Sequence, residues 1–275
     1  MTTTVAPRST GRVLPGWRAA LLVVEGLWVW YRRNWRATAI SSILQPVLFL
    51  LAFGVGFGGL IDTGGRAEQA TGGVPYLLYL APALLAVGVV QNAAFESTYP
   101  ILSAFKWQRT YWGVTATPVT PGQLAAGQLT WIALRLVISG AAYLLVIALF
   151  GAVRGPGVLA ALAFAVLSGM AFAAPLVAFA AAQENEGTAF SAVFRFVVIP
   201  MTLFSGTFFP VSQLPAVVRP LAWISPLWHG TELARGAALG TLQPGPALGH
   251  GAYLAALLVT GVLLCRWRFR VRLTR

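Results

Sequence analysis

The chain has 275 residues, of which 57% are hydrophobic and only 9% charged, and its formal charge is +12. Soluble domains carry about 25% charged residues, so the composition excludes an ordinary soluble fold. Apolar runs about as long as a bilayer is thick indicate an integral membrane protein instead. The positive charge does not indicate a nucleic-acid binder, because 18 of the 19 basic residues are Arg and most crowd the chain ends. That distribution suits membrane orientation rather than a binding groove. A single cysteine, Cys265, excludes an internal disulfide framework and a multi-thiolate metal site.

At the start of the chain, Arg8 and Arg12 are followed by Pro15, Trp17, Arg18 and Glu25. This pattern has no short apolar core with a small-residue cleavage site, so no cleaved signal peptide is expected. Trp17, Leu21, Val24, Trp28, Tyr31 and Trp35 then recur at steps of four and three, which lines them along one helix face. Arg18, Glu25, Arg32 and Arg33 fall beside that stripe. Region 1–37 is therefore read as a cytoplasmic N-terminus with an amphipathic interfacial helix, lying in the headgroup layer or packed on neighbouring spans, or both.

Six runs are long enough to cross a bilayer as helices: about 38–60, 74–99, 122–150, 157–182, 188–209 and 247–265. The fold class is all-α, a polytopic membrane protein. The first run places Phe49, Phe53 and Phe57 four apart on one face and Gly54 and Gly58 on another; glycines four apart permit close helix approach but are a weak signal alone. Glu96 and Arg195 are placed to pair with each other or with Glu184 and Glu186. Arg135 falls well inside the third run, where burial is costly; it reads either as a contact to an anionic substrate group or as half of a structural pair.

Two connections look made for a protein partner. Residues 103–112, SAFKWQRTYW, read as a short helix with Phe105, Lys106, Trp107 and Arg109, and Thr120 with Pro121 starts the next helix. Residues 183–187, QENEG, form a tight acidic turn with Glu184 and Glu186. After the fifth run, four prolines, Pro210, Pro215, Pro220 and Pro226, forbid a continuous helix, yet the segment stays apolar and aromatic. Region 210–240 is read as short external re-entrant helices, one capped by Ser225 before Pro226 and stopped at Gly240. Residues 266–275 form a basic tail.

With loops alternating sides, thirteen basic residues fall on the side of both termini and four (Arg66, Arg154, Arg219 and Arg235) on the other. The termini are therefore expected in the cytoplasm and the broken segment outside. The two histidines, His229 and His250, have no metalloenzyme spacing, and the single lysine, Lys106, is in no Walker A loop. No catalytic residues and no metal are expected, and the chain is read as a non-enzyme that does not hydrolyse ATP by a P-loop.

Together these features resemble the membrane subunit of type-2 ABC exporters over essentially the whole chain. The sharpest part is 200–236, PMTLFSGTFFPVSQLPAVVRPLAWISPLWHGTELARG, very like the same region in permeases of the nodulation lipooligosaccharide exporter branch. Daunorubicin-type drug exporters share a looser form. QPVLFLLAFGVGFG at 45–58 is similar to the family's first span, and ATPVTPGQL at 116–124 to its entry to the third. The resemblance implies a second permease copy, related or identical, and a separate cytoplasmic ABC ATPase subunit that carries ATP and Mg; this chain binds no cofactor itself. It implies ATPase coupling through Phe105, Lys106, Trp107, Arg109, Glu184 and Glu186, and a substrate path along Phe49, Phe53, Phe57, Arg135, Phe204 and Phe208. It implies an external gate at Pro210, Pro215, Trp228, Glu232 and Arg235.

The implied location is the bacterial inner membrane, with lipids as neighbours and no nucleic acid. Lipid-linked oligosaccharide, drug and secondary metabolite all suit such a path. A membrane enzyme for lipid-linked sugars or acyl chains, and a non-transporting scaffold for an ATPase, are the alternatives at this stage.

Overall fold

The computed structural model describes residues 15–57, 59, 71, 73–153, 155–185 and 187–274. Among them every regular element is helical. Helix α1 (Gly16–Phe49) continues into a π-helical stretch, Leu50–Phe57. It is followed by α2 (Tyr76–Glu96), α3 (Tyr99–Lys106), α4 (Thr110–Thr115), α5 (Pro121–Leu149) and α6 (Gly157–Ala182). Then come α7 (Thr188–Phe204), interrupted by a π-helical segment at Phe194–Val198, α8 (Arg219–Ile224), α9 (Pro226–Leu239) and α10 (Pro244–Leu273). Among the described residues, four segments are long and apolar enough to cross a membrane: Tyr76–Lys106, α5, α6 and α10; α7 is a shorter apolar helix. Arg66, Arg154 and Glu186, and the side chain of Phe57, lie outside what is described.

Local sequence explains several boundaries. At α5, Thr120 accepts from the Gln123 backbone while the Gln123 side chain accepts from Thr120, with Pro121 at the first position where no N–H is needed. Gly240 ends α9 at φ +71°, a left-handed conformation that suits glycine. Ser225 precedes α9 as expected but does not cap it: its hydroxyl is 2.7 Å from that of Ser205, and that buried bond outcompetes the local one. The helix expected over 103–112 is two helices, α3 and α4, broken where Arg109 turns to φ +52°.

In the bundle, α2 is enclosed by α5, α6 and α9, with Leu80, Leu84, Leu85, Val89 and Ala93 buried. Lipid tails are as apolar as leucine, so helices in a bilayer associate mainly through close packing, which small residues permit. A Cβ at Gly88 would strike the Tyr143 ring at 2.8 Å, at Gly169 Leu136 and Val89 at 2.9 Å, and at Gly261 Pro175 at 2.5 Å. Helix α10 buries only a seam of Leu254, Gly261, Cys265 and Phe269 and turns Leu248, Val259 and Leu263 outward.

Helix α1 packs along α5, and the contacts advance together. Gly16 meets Gln123, Ala20 and Val23 meet Gly127, and Trp28 and Tyr31 meet Trp131. The two helices therefore run in the same direction. The small residues Ala19 and Ala20 lie toward α5, while Trp17, Leu21 and Trp35 of the aromatic stripe stay exposed.

Helix α9 is built into this packing rather than laid over it. Gly230 lies against α6, where a Cβ would stand 2.3 Å from that of Ser168. Gly230→Leu is expected to lose roughly 1–3 kcal/mol or more through overpacking, read as a lower unfolding midpoint in detergent. Gly26→Ala, with nothing within 4 Å of the added carbon, serves as the comparison and should leave the midpoint unchanged or slightly raised.

Candidate functional site

At the bundle end formed by α3, α4 and the last turns of α10, Phe105 is 2% exposed. Its ring packs edge-on against Tyr111 at 4.7 Å and Phe269 at 5.0 Å, with the Arg272 guanidinium 4.4 Å over it. Phe105 is thus packed in the core, directly beneath the surface that the sequence reading assigns to ATPase coupling. The surface there belongs to Trp107 and Arg109, which are exposed, Lys106, which is half-buried, and Trp112, whose indole N–H donates to Phe105 O at 3.2 Å. Arg272 also donates to Ala181 O at 2.8 Å and lies within electrostatic reach of exposed Glu184, which joins the acidic turn to this end.

Inside the bundle, Arg135 is 6% exposed and donates twice to Glu96 Oε1, at 2.9 and 2.7 Å. Its guanidinium lies 4.3 Å over the Tyr31 ring. The partner of Glu96 is therefore Arg135, not Arg195, which is exposed on the π-helical part of α7. A buried arginine needs a hydrogen-bonded counter-charge, and Glu96 provides it while tying α1, α2 and α5 together. Among the described residues, Arg135 makes its ring contact with Tyr31 and none with Phe49, Phe53, Phe204 or Phe208. Those meet one another instead: Phe49 and Phe53 stack at 5.7 Å, and Phe53 lies 5.1 Å from Phe208. Phe204 is half-buried four residues before Phe208, at the end of α7.

The opposite end is capped by the broken segment. Arg235 is 8% exposed, donates to Gly206 O at 2.7 Å and Tyr79 O at 3.3 Å, and pairs with Glu232 at 3.1 Å. Its guanidinium rests 3.8 Å over the Tyr79 ring. Glu232 and Arg235 thus pair within one helix, as their spacing of three permits. Pro210 opens a 3-10 turn, Val211–Gln213, and Pro215 is exposed beside it. The hydroxyls of Tyr79, Thr207 and Thr231, all in segments that adjoin Arg235, are buried with no hydrogen-bond partner among the described residues.

Trp228 brings in a residue that sequence spacing did not connect: its ring is edge-on to both His229 and His250. The two imidazoles meet Nδ1 to Nδ1 at 2.7 Å, although they stand 21 residues apart. His229 Nε2 is 2.9 Å from Trp223 O, which only accepts, so Nε2 carries the hydrogen. Neutral His229 then accepts at Nδ1, and His250 Nδ1–H donates. Tyr253 stacks on His229 with centroids 4.0 Å apart, and its hydroxyl donates to Ile224 O. No helical period on one element links these residues; α10 brings His250 and Tyr253 against α9 only in the folded chain.

Burial lowers the His229 pKa below its ordinary 6.5, the hydrogen bond to Trp223 opposes this, and the neighbouring His250 adds to the lowering. A depressed folded pKa contributes stability above the unfolded value that is lost as pH falls through the folded one. The unfolding midpoint should therefore drop as pH falls below the ordinary histidine value of about 6.5, and drop less in His229→Gln. An equal drop in both proteins would remove His229 as the cause.

Comparison with known proteins bears on the whole arrangement. The family model described as ABC-2 type transporter matches residues 20–239, from the first turns of α1 to the end of α9. Nodulation protein J of Sinorhizobium fredii (strain NBRC 101917 / NGR234) is 33% identical over 258 residues, covering 90% of this chain and 93% of that protein. Nodulation protein J of Bradyrhizobium diazoefficiens is 34% identical over 233 residues, covering 82% and 85%. The protein of the same name from Rhizobium leguminosarum bv. viciae is 32% identical over 255 residues, covering 90% and 94%. The chain belongs to the ABC-2 type transporter family, as a multi-pass membrane permease.

Proposed function

We propose that this permease, with a second copy or a related chain, forms the six-plus-six-span path of an exporter for an amphipathic substrate, driven by a separate cytoplasmic ABC ATPase that holds ATP and Mg. The carrying observation is that the α1 aromatic run ends at the cap: Phe53 meets Phe208, whose carbonyl accepts from Tyr76 of α2 at 3.1 Å. A continuous aromatic surface from α1 to the cap suits an acyl chain or fused-ring substrate. Lipid-linked oligosaccharide is the first class to test, with drugs and secondary metabolites next, in keeping with the Nodulation protein J relatives and the lipooligosaccharide-branch motif.

The second copy finds support in the apolar surface left open on α7, where Phe196, Val197, Ile199 and Leu203 are exposed, with Phe95 of α2 near by through Phe194. The basic ends of α1 and α10 support a cytoplasmic placement of both termini in the bacterial inner membrane. In this reading α5 begins and α10 ends at the cytoplasmic face, where Trp107, Arg109, Lys106, Glu184 and Glu186 meet the ATPase. Phe105 acts there only by holding α3 on α4 and α10. Pro210, Pro215, Trp228, Glu232 and Arg235 form the outer gate, and Phe49, Phe53, Phe57, Phe204 and Phe208 line the route beneath it. Arg135 contributes to that route through its pair with Glu96, by fixing α1 against α5.

Co-purification with the partner ATPase and a substrate-stimulated ATPase screen tests the reading. Lys106→Glu/Arg109→Glu is expected to abolish export in vesicles while the protein folds and basal hydrolysis persists; full export by this variant would remove the docking assignment. Arg235→Ala is expected to change substrate stimulation more than Arg235→Lys, which keeps the charge beside Glu232. Wild-type stimulation in both would take Arg235 out of the gate.

A further inference from the structure

A cavity of about 960 Å3 opens at the end of the bundle where α5 begins and α10 ends. Trp17 and Leu21 of α1, Gln123 and Ala126 of α5, and Arg266 and Arg270 of α10 contribute to its wall. The two arginines are four apart on one helix, so they share a face. The Arg266 guanidinium lies over Gly122, 3.8 Å from where a Cβ would stand, which brings it to the first turn of α5. No carboxylate lines the cavity, and neither arginine has an ion pair among the described residues. The positive end of the 29-residue α5 points into the same space and adds to the potential there.

Apolar side chains line the α1 side of the cavity and flank its arginines along α10. Trp17 and Leu21 are exposed on α1, and Leu263 and Trp267 are exposed beside the arginines on α10. An inorganic anion would satisfy the guanidinium groups and leave this apolar surface bare. A hydrocarbon chain alone would cover the surface and leave two neighbouring cations without a counter-charge. A molecule with an anionic head and an apolar tail satisfies both, and the cavity stands where the apolar stretches of α5 and α10 give way to polar sequence.

We propose that this cavity binds the phosphate headgroup of an anionic phospholipid, with Arg266 and Arg270 on the phosphate oxygens and an acyl chain along Trp17 and Leu21. Guanidinium matches phosphate with paired N–H donors, and basic pockets between membrane helices suit such headgroups. The lipid then acts as a third side chain between α1, α5 and α10. This assignment is independent of the transported substrate.

The test is native mass spectrometry of the full chain in neutral detergent, titrated with phosphatidylglycerol, phosphatidylcholine or inorganic phosphate. Phosphatidylglycerol should be retained and phosphatidylcholine should not. Arg266→Gln/Arg270→Gln should weaken phosphatidylglycerol binding by about 30-fold, about 5-fold for each arginine. Arg32→Gln/Arg33→Gln, which removes two exposed charges of α1 outside the cavity, should leave it unchanged. Ala126→Trp, which fills the cavity and keeps both charges, should also abolish retention; with an unchanged unfolding midpoint it decides the matter even if the double arginine variant fails to fold. Equal weakening by the two arginine pairs, undiminished retention in Ala126→Trp, or equal retention of phosphatidylcholine overturns the site. Displacement of the lipid by equimolar inorganic phosphate overturns the lipid as its occupant.

Discussion

A chain broken by prolines at a membrane face leaves backbone carbonyls without helical partners, and each must find a donor or meet water. The segment between α7 and α9 meets this constraint with side chains drawn from across the protein. Arg235 donates to Gly206 O, Tyr76 to Phe208 O, and Arg219 to Ser212 O and Leu214 O. His229 donates to Trp223 O and Tyr253 to Ile224 O. Without these bonds the short helices would have to leave the bundle for water. With them, a discontinuous segment packs like a span while keeping several joints. The arrangement also explains why Arg235 is buried: it replaces hydrogen bonds that a continuous helix would have made within itself.

The Arg135–Glu96 pair meets a related need by a different route. An ion pair withdrawn from water gains little net stability against a well-packed apolar replacement, but removing one partner is costly. Its consequence is positional. The guanidinium between Tyr31 and Glu96 fixes where α1 stands along α5, and so fixes where the Phe49 and Phe53 rings enter the bundle further along the same continuous helix. Arg135, which by depth alone reads as a substrate contact or as half of a structural pair, therefore sets the register of α1 on α5.

Elements governed by local chemistry were legible in the sequence. The Thr120–Pro121 start, the Gly240 stop, the short helices at the prolines and the Glu232–Arg235 spacing each depend on a few neighbouring residues. The family and helical class followed from long apolar runs and the motif at 200–236. What could not be read depends on residues far apart in the chain. The Ser225 hydroxyl goes to Ser205, His250 reaches His229, and Phe105 is covered by Phe269 and Arg272. Composition at 103–112 mixes aromatics with cations, which signals a surface helix equally well whether Phe105 points in or out; only the docking of α10 decides that. The α1 stripe marks only part of the packed face, Trp28 and Tyr31 against Trp131, for a similar reason. Close approach to Gly127 on α5 needs Ala20 and Val23, and larger tryptophans would hold the helices apart.

These pieces meet in α2. Its first turns carry Tyr76 and Tyr79, which hold Phe208 and Arg235 of the cap. Its last turn carries Glu96, and the chain continues through Thr98 into α3, whose Phe105 is locked against α4 and α10. Between these ends α2 is enclosed by α5, α6 and α9, so lateral displacement is opposed by close-packed neighbours. A force applied at α3 and α4 therefore reaches the cap through a single buried helix with its attachments at both ends. The cap has joints at Pro210, Pro215, Pro220 and Pro226, whereas α2 has an internal proline, Pro82, within its first two turns on the cap side. Pro82 therefore removes a helical N–H from α2 close to the Tyr79 that meets Arg235, and the remainder of α2 carries no such break.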